Sequence, residues 1–200
     1  MNSYHHLRQD LRRQREQIDP AEQRTAAQLI CQQVINQIWM TEATNVAFYW
    51  ATGGEVDCHQ LMLESSARGA DCYLPVIDKP PSPAMCFRWF DPTRPEALTP
   101  NRFGIYEPAR GAEIRVADLD LVFMPLVAFD RSGNRLGMGK GYYDRALAGL
   151  ADSPLRVGLG HRFQELPLLE PSEWDVPLHI VVTPDEVIHT SQCPGEFIPQ

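Results

Sequence analysis

Residues 119–130 read Leu-Asp-Leu-Val-Phe-Met-Pro-Leu-Val-Ala-Phe-Asp, and from Leu121 to Phe129 every side chain is apolar. A strand of that kind has no polar face to offer water, so it belongs inside a sheet with a layer packed on each side. It is also far too short, and too interrupted by Pro125, for the roughly 20 residues that a bilayer span requires. Around it, strand and helix signals alternate. A β-rich run at 45–50 empties into Ala51-Thr52-Gly53-Gly54, and Asp57 with Gln60 has capping-box spacing for a helix ending near Arg68-Gly69. Strands are expected at 71–77 and 85–90, on either side of a Lys-Pro-Pro-Ser-Pro turn at 79–83. A helix at 142–150 and short strands at 155–160 and 178–182 complete the pattern. No repeat or low-complexity segment interrupts it. This alternation predicts α/β architecture: a single three-layer domain over residues 1–200, with a mainly parallel or mixed sheet and helices on both faces.

An N-terminal helical pair is expected over residues 4–40. Arg8, Arg12 and Arg15 recur at i, i+4 and i+7 and share one helix face, while Leu7, Leu11 and Ile18 mark another. Asp19-Pro20-Ala21-Glu22 is a helix start, with Asp at the N-cap, Pro at N1 and Glu at N3. The second helix should continue to about Met40, burying Leu29, Ile30, Val34, Ile35 and Ile38. By itself, an arginine face is an ordinary solvated surface.

The buried strand runs into Asn134-Arg135-Leu136-Gly137-Met138-Gly139-Lys140-Gly141-Tyr142-Tyr143-Asp144-Arg145. Glycines at 137, 139 and 141 permit positive φ and carry no side chain, so successive backbone N–H groups can converge on one anion. Lys140 adds a flexible point charge, and the helix that follows turns its N-terminus toward the same place. The segment is not a Walker A loop, because five residues separate Gly133 from Gly139 and glycine, not Ser or Thr, follows the lysine. Nor is it a dinucleotide fingerprint, which needs a third glycine at a different offset and a ribose-binding acid downstream. A plain glycine-rich turn between strand and helix is the alternative.

Formal charge of -8 and a pI near 5.2 argue against nonspecific nucleic-acid binding, so anionic ligands must be met by local positive pockets. Cys31, Cys58, Cys72, Cys86 and Cys193 are odd in number and contain no Cys-x-x-Cys pair or zinc spacing, as expected of free thiols in a reducing cytosol. The polar residues 1–10 do not resemble a secretory signal, and no membrane partner is expected.

From Met124 through Arg145 the chain resembles the signature of 5-formyltetrahydrofolate cyclo-ligases, also called 5,10-methenyltetrahydrofolate synthetases. The likeness extends colinearly to the Arg-rich first helix, to Gly54-Glu55-Val56, and to Trp174-Asp-Val-Pro-Leu-His-Ile-Val-Val-Thr-Pro-Asp185. It implies a cytoplasmic enzyme, monomeric or weakly dimeric, that closes 5-formyltetrahydrofolate to 5,10-methenyltetrahydrofolate with ATP as cosubstrate and Mg2+ as metal. The implied ATP contacts are Arg8, Arg135, Leu136, Gly137, Met138, Gly139, Lys140, Gly141, Tyr142 and Tyr143, with Lys140 and Arg135 catalytic. The implied folate contacts are Trp50, Glu55 and residues Met138, Gly139, Lys140, Gly141 and Tyr142. Trp50 would offer an aromatic wall and Glu55 a carboxylate for the pterin N–H donors. Asp144 and Asp185 are the implied magnesium ligands. One of Tyr142 and Tyr143 is expected on the wall and the other in the packing. This sequence departs from the family at Tyr4, which stands where a lysine is expected. Residues 101–108 resemble a family loop that closes over the substrate region. Two other classes stay open: a kinase-like enzyme with a different small-molecule acceptor, and a noncatalytic nucleotide- or RNA-binding paralogue. The intact Gly-Lys-Gly-Tyr-Tyr-Asp segment favours catalysis.

Overall fold

A computed structural model describes residues 4–77, 84–150 and 153–197; the turn expected at 79–83 lies outside them. Three helices open the chain: α1 (His5–Glu16), α2 (Pro20–Val34) and α3 (Ile38–Thr41). Then come β1 (Asn45–Ala47), α4 (His59–Ala67), β2 (Asp71–Ile77), β3 (Met85–Trp89), β4 (Leu98–Pro100), β5 (Tyr106–Pro108) and β6 (Glu113–Ile114). The second half holds β7 (Leu121–Pro125), β8 (Ala128–Phe129), β9 (Arg135–Leu136), α5 (Tyr142–Leu147), β10 (Leu155–Leu159), β11 (Ile180–Val182) and β12 (Val187–His189).

Eight of these strands form one mixed sheet in the order β12-β11-β10-β7-β1-β2-β3-β6. The pairs β11–β10, β10–β7, β7–β1 and β1–β2 are parallel, and β12, β3 and β6 add antiparallel edges. From β1 the chain moves outward to β2 and then returns to place β7 on the other side of β1. Strand order therefore reverses between β1 and β7, and the carboxyl ends of those two strands form the crevice where open α/β sheets bind ligands.

The apolar run of β7 is central, as its pattern requires, and alternate side chains enter opposite layers. Leu121 and Phe123 join a core made with α2, α3 and α4, which includes Ile30, Val34, Trp39, Leu61 and Met62. Val122 and Met124 face a second core containing Leu147 of α5, Phe87, Leu178 and Val181. Helices thus lie on both faces, but unequally: one layer is three helices, while the other is the six-residue α5 with loops. A third cluster, of Leu11, Val127, Ala128, Leu136 and Leu169, packs α1 against the β8–β9 hairpin.

The second helix is shorter than expected. Asp19 caps it as predicted, its Oδ1 accepting the Ala21 N–H at 2.7 Å, but the helix stops at Val34 and a separate turn of helix begins at Ile38. Ile30 and Val34 are buried, whereas Leu29 and Ile38 are exposed, so the assumed continuous stripe does not exist. Asp57 does not form the expected capping box either. Its carboxylate accepts from the His59 N–H at 2.9 Å, one position before the N-cap Cys58, and Gln60 turns away to Glu64.

Candidate active site

A cleft of about 1440 Å³ opens at the crevice between β1 and β7. That volume exceeds the roughly 300–1,000 Å³ of a typical single-ligand pocket and leaves room for two ligands side by side. Its walls come from α1, the loop after β1, the 101–105 loop, the 134–150 segment and residues 169–177.

Arg15 cross-links three of these parts. Its Nε donates to the Gly53 carbonyl at 2.8 Å, one terminal nitrogen to the Leu126 carbonyl at 3.1 Å, and the other lies 3.5 Å from Glu55 Oε1. Both side chains are almost fully buried. Burial pushes the Glu55 carboxyl up from its ordinary value, and Arg15 opposes that shift, as do the Thr52 backbone and hydroxyl hydrogen bonds. Burial in turn lowers the Arg15 pKa, with Glu55 opposing. Removing either partner would strand a charge in a site with little water. Gly54 is obligatory here, because its φ is +77° and a Cβ would lie 2.3 Å from the Arg15 carbonyl oxygen. The Gly54 carbonyl also contacts His161 Nε2 at 3.1 Å, where burial lowers the imidazole pKa.

The glycine loop forms the cleft floor. Gly139 and Gly141 adopt positive φ of 80° and 64°, as the sequence suggested, but Gly137 does not. Arg8, 129 residues away in sequence, donates from Nε to the Gly137 carbonyl at 2.9 Å, and its guanidinium lies against Gly139. The first helix and the loop therefore meet as expected. Tyr4 also lines the cleft, but its hydroxyl accepts the Glu170 N–H at 2.8 Å and supplies no cation. Lys140 is exposed and has no hydrogen-bond or ion-pair partner among the described residues, so its ammonium is available to a ligand. Because α5 has only six residues, its macrodipole adds little, and the positive potential comes from Lys140 and the guanidinium groups of Arg8 and Arg145 beside the loop.

Arg135 and Asp144 are joined at 2.6 Å, the arginine side chain nearly buried and the aspartate partly exposed. Asp144 Oδ1 also accepts the Val176 N–H at 3.2 Å, and Arg135 donates to the Val176 carbonyl. The pair thus fastens residues 172–177 to the loop. Arg135 spends much of its donor capacity on protein, which makes it a positioning group as much as a ligand contact. Tyr142 forms the wall: its hydroxyl accepts from Arg102 at 3.1 Å and its ring meets Phe103 edge-on. Tyr143 lines the cleft as well, so the expected division into one wall and one packing tyrosine does not hold; its ring is tilted against Phe87 and its buried hydroxyl has a pKa raised by desolvation. Trp50 is half-buried on the cleft, edge-on to Phe90 at 6.2 Å.

The two expected metal ligands are not brought together. Asp144 lines the cleft, and its Oδ2 lies on the Gly141 side. Asp185 does not line it; its carboxylate pairs with Arg162 at 3.2 Å on the surface after β11. Sequence adjacency to Thr183-Pro184 places it in a turn, and the direction of that turn was not legible locally. Among the described residues no group of three or more His, Cys, Asp or Glu side chains could hold a metal ion. One carboxylate oxygen beside a phosphate-sized loop suits magnesium carried mainly by phosphate oxygens, and does not suit an all-protein cage. All five cysteines are free, and burial raises the Cys58 and Cys72 thiols, the latter to about 12, away from nucleophilic reactivity.

Two contributors had weak sequence signals. Arg15 shares the face of Arg8, but nothing in the spacing distinguished a buried cross-link from a solvated cation. Asp130 is buried before the loop and accepts from the Ser132, Asn134 and Leu169 N–H groups and the Asn134 side chain, which sets the β8–β9 turn. An Asp-x-Ser-Gly-Asn turn was its visible trace.

A model of the 5-formyltetrahydrofolate cyclo-ligase family matches residues 1–184. The chain is 35% identical over 175 residues to the 5-formyltetrahydrofolate cyclo-ligase of Haemophilus influenzae, covering 86% of this chain and 92% of that one. It is 33% identical over 180 residues to the protein of the same name from Escherichia coli strain K12, covering 88% and 98%. The solved 5,10-methenyltetrahydrofolate synthetase of Aquifex aeolicus superposes with a TM-score of 0.79 at 29% identity, covering 98% of this chain and 95% of that one.

Proposed function

This chain belongs to the 5-formyltetrahydrofolate cyclo-ligase family, and we infer from that membership and the geometry of its cleft that it converts 5-formyltetrahydrofolate to 5,10-methenyltetrahydrofolate at the expense of ATP. The observation that carries the reading is the meeting, in one cleft, of the Arg8-braced loop bearing Lys140 with the buried Glu55 carboxylate beside Trp50. A phosphate site and a site for a polar heteroaromatic ring adjoin, as transfer between ATP and a folate requires.

The chemistry explains the pairing. The formyl oxygen of an amide is a poor leaving group until it is phosphorylated. The formyl oxygen attacks the γ-phosphate, ADP leaves, and the neighbouring folate nitrogen adds to the resulting iminium phosphate before phosphate departs. Glu55, whose carboxyl is pushed up by burial against the opposing pull of Arg15, accepts hydrogen bonds from the pterin N–H groups and sets the ring's orientation. Trp50 walls the ring. The amides of Gly139, Lys140 and Gly141, with the Lys140 ammonium, stabilise charge on the transferring phosphoryl group, and Arg8 adds to that positive field. Arg135 holds Asp144 in place, and Asp144 Oδ2 is the carboxylate oxygen offered to magnesium. Magnesium bound there would neutralise phosphate charge as ADP leaves.

The whole chain acts as one catalytic unit, free of nucleic-acid partners; its monomeric or weakly dimeric state and cytoplasmic location belong to the same proposal. Among the described residues no helix is long and apolar enough to cross a membrane. The test is to incubate purified protein with 5-formyltetrahydrofolate, ATP and magnesium and to follow methenyl absorbance. Product formed only with ATP is expected. ATP binding without product would leave a different acceptor or a binding role.

A further inference from the structure

Trp174 is 72% exposed although it lines the cleft. Its side chain makes no hydrogen bond or ring contact among the described residues, so a broad apolar face stands open to whatever enters. The segment carrying it is nevertheless well tied. The Ser172 N–H donates to Asp175 Oδ2 at 2.8 Å and the Asp175 N–H to the Ser172 carbonyl at 3.0 Å, closing a turn with Glu173 and Trp174 at its tip. Through Val176 that turn is held by Asp144 and Arg135, the same pair that braces the glycine loop. An exposed indole thus lines the same cleft as the glycine loop, on a segment tied to it through Val176.

The charge of this wall says which part of a ligand belongs there. Glu170, Glu173 and Asp175 line the cleft beside Trp174, so the wall repels a phosphate chain and suits amine and hydroxyl donors on an aromatic base and its ribose. Trp50 and Glu55, which also line the cleft, are already taken by the pterin in the reading above. We propose that Trp174 is the stacking platform for the purine of the nucleotide, with the acidic residues around it facing the base and sugar. This rests on the assignment of the loop to ATP phosphates. Arg8 and Lys140 then serve the phosphate chain and Trp174 the base, which divides nucleotide affinity between a charge-dependent and a charge-independent part.

The two parts separate experimentally. Titration calorimetry with magnesium present would compare ADP and inorganic tripolyphosphate as ligands for the parent, Trp174→Ala and Trp174→Phe proteins. Trp174 is exposed, so both variants should fold. The expected result is about tenfold weaker ADP binding by Trp174→Ala, recovery of most of that loss in Trp174→Phe, and unchanged tripolyphosphate binding. Unchanged ADP affinity in Trp174→Ala would overturn the proposal, as would an equal loss for tripolyphosphate or a parent protein that does not bind ADP. A parent protein that shows this Trp174 dependence but does not cyclise 5-formyltetrahydrofolate would keep the stacking role and remove only the cyclo-ligase reading.

Discussion

Replacing Arg15 by Met tests the hinge between fold and site. The substitution keeps an unbranched side chain but removes the guanidinium that serves the Gly53 and Leu126 carbonyls and faces Glu55 at 3.5 Å. Glu55, with a side chain only 9% exposed, is left without its cation. Breaking a buried pair from one side costs about 3–5 kcal/mol, because the surviving charge stays desolvated. For a chain of this size that corresponds to a fall in Tm of roughly 6–20 °C. The pH dependence supplies the sharper check. Burial already raises the Glu55 pKa, and loss of Arg15 raises it further. A carboxyl with a raised folded-state pKa favours the fold when protonated and disfavours it as pH climbs through that pKa. The deficit of Arg15→Met should therefore be smaller at pH 5 than at pH 8 in urea unfolding. Adding Glu55→Gln should recover part of the loss at pH 8, since the double variant no longer buries an unpaired charge. A deficit identical at both pH values and not relieved by Glu55→Gln would refute the reasoning, leaving Arg15 a packing residue.

Lys140→Ala should retain the parent Tm and lose about 10²–10³ in kcat, as removal of one transition-state donor does; normal turnover by the folded variant would eliminate its phosphate role. Asp144→Asn should raise the magnesium concentration needed for half-maximal rate and also lower Tm, because Oδ1 holds Arg135 and Val176. An unaltered magnesium dependence would remove it from the metal site while the Tm change reported its bracing role. Elsewhere on the cleft lining, burial and Arg156 push His179 down to about 4, and its Nδ1 accepts the Arg156 N–H at 3.2 Å. A depressed folded pKa means stability is lost as pH falls from the ordinary histidine value toward 4, so His179→Gln should flatten acid denaturation across that window; an unchanged slope would show that other groups govern it.

Much of this protein was determined by local chemistry that a single chain carries with it. An apolar run such as 121–129 has to sit inside a sheet, Asp19-Pro20 has to start a helix, and the glycines flanking Lys140 let the backbone turn there with positive φ. Those inferences need only side-chain periodicity and backbone sterics, and they led to the α/β fold and to the loop, whereas Arg8 was singled out only by the resemblance to the cyclo-ligase family. Where a helix stops is decided by packing, so α2 ends at Val34 instead of near Met40, and Leu29 and Ile38 face water. The destination of long polar side chains is decided by neighbours distant in sequence. Arg8, Arg12 and Arg15 share a face, yet only the tertiary fold sends Arg15 inward to Glu55, 40 positions along the chain, and Arg8 to Gly137. The same holds for the carboxylates: Asp144 meets Arg135 at the loop, while Asp185 turns to Arg162 on the surface. Patterns of period and turn are local and survive in one dimension; a buried charge pair exists only once the reversal of strand order between β1 and β7 has brought its partners to the same crevice.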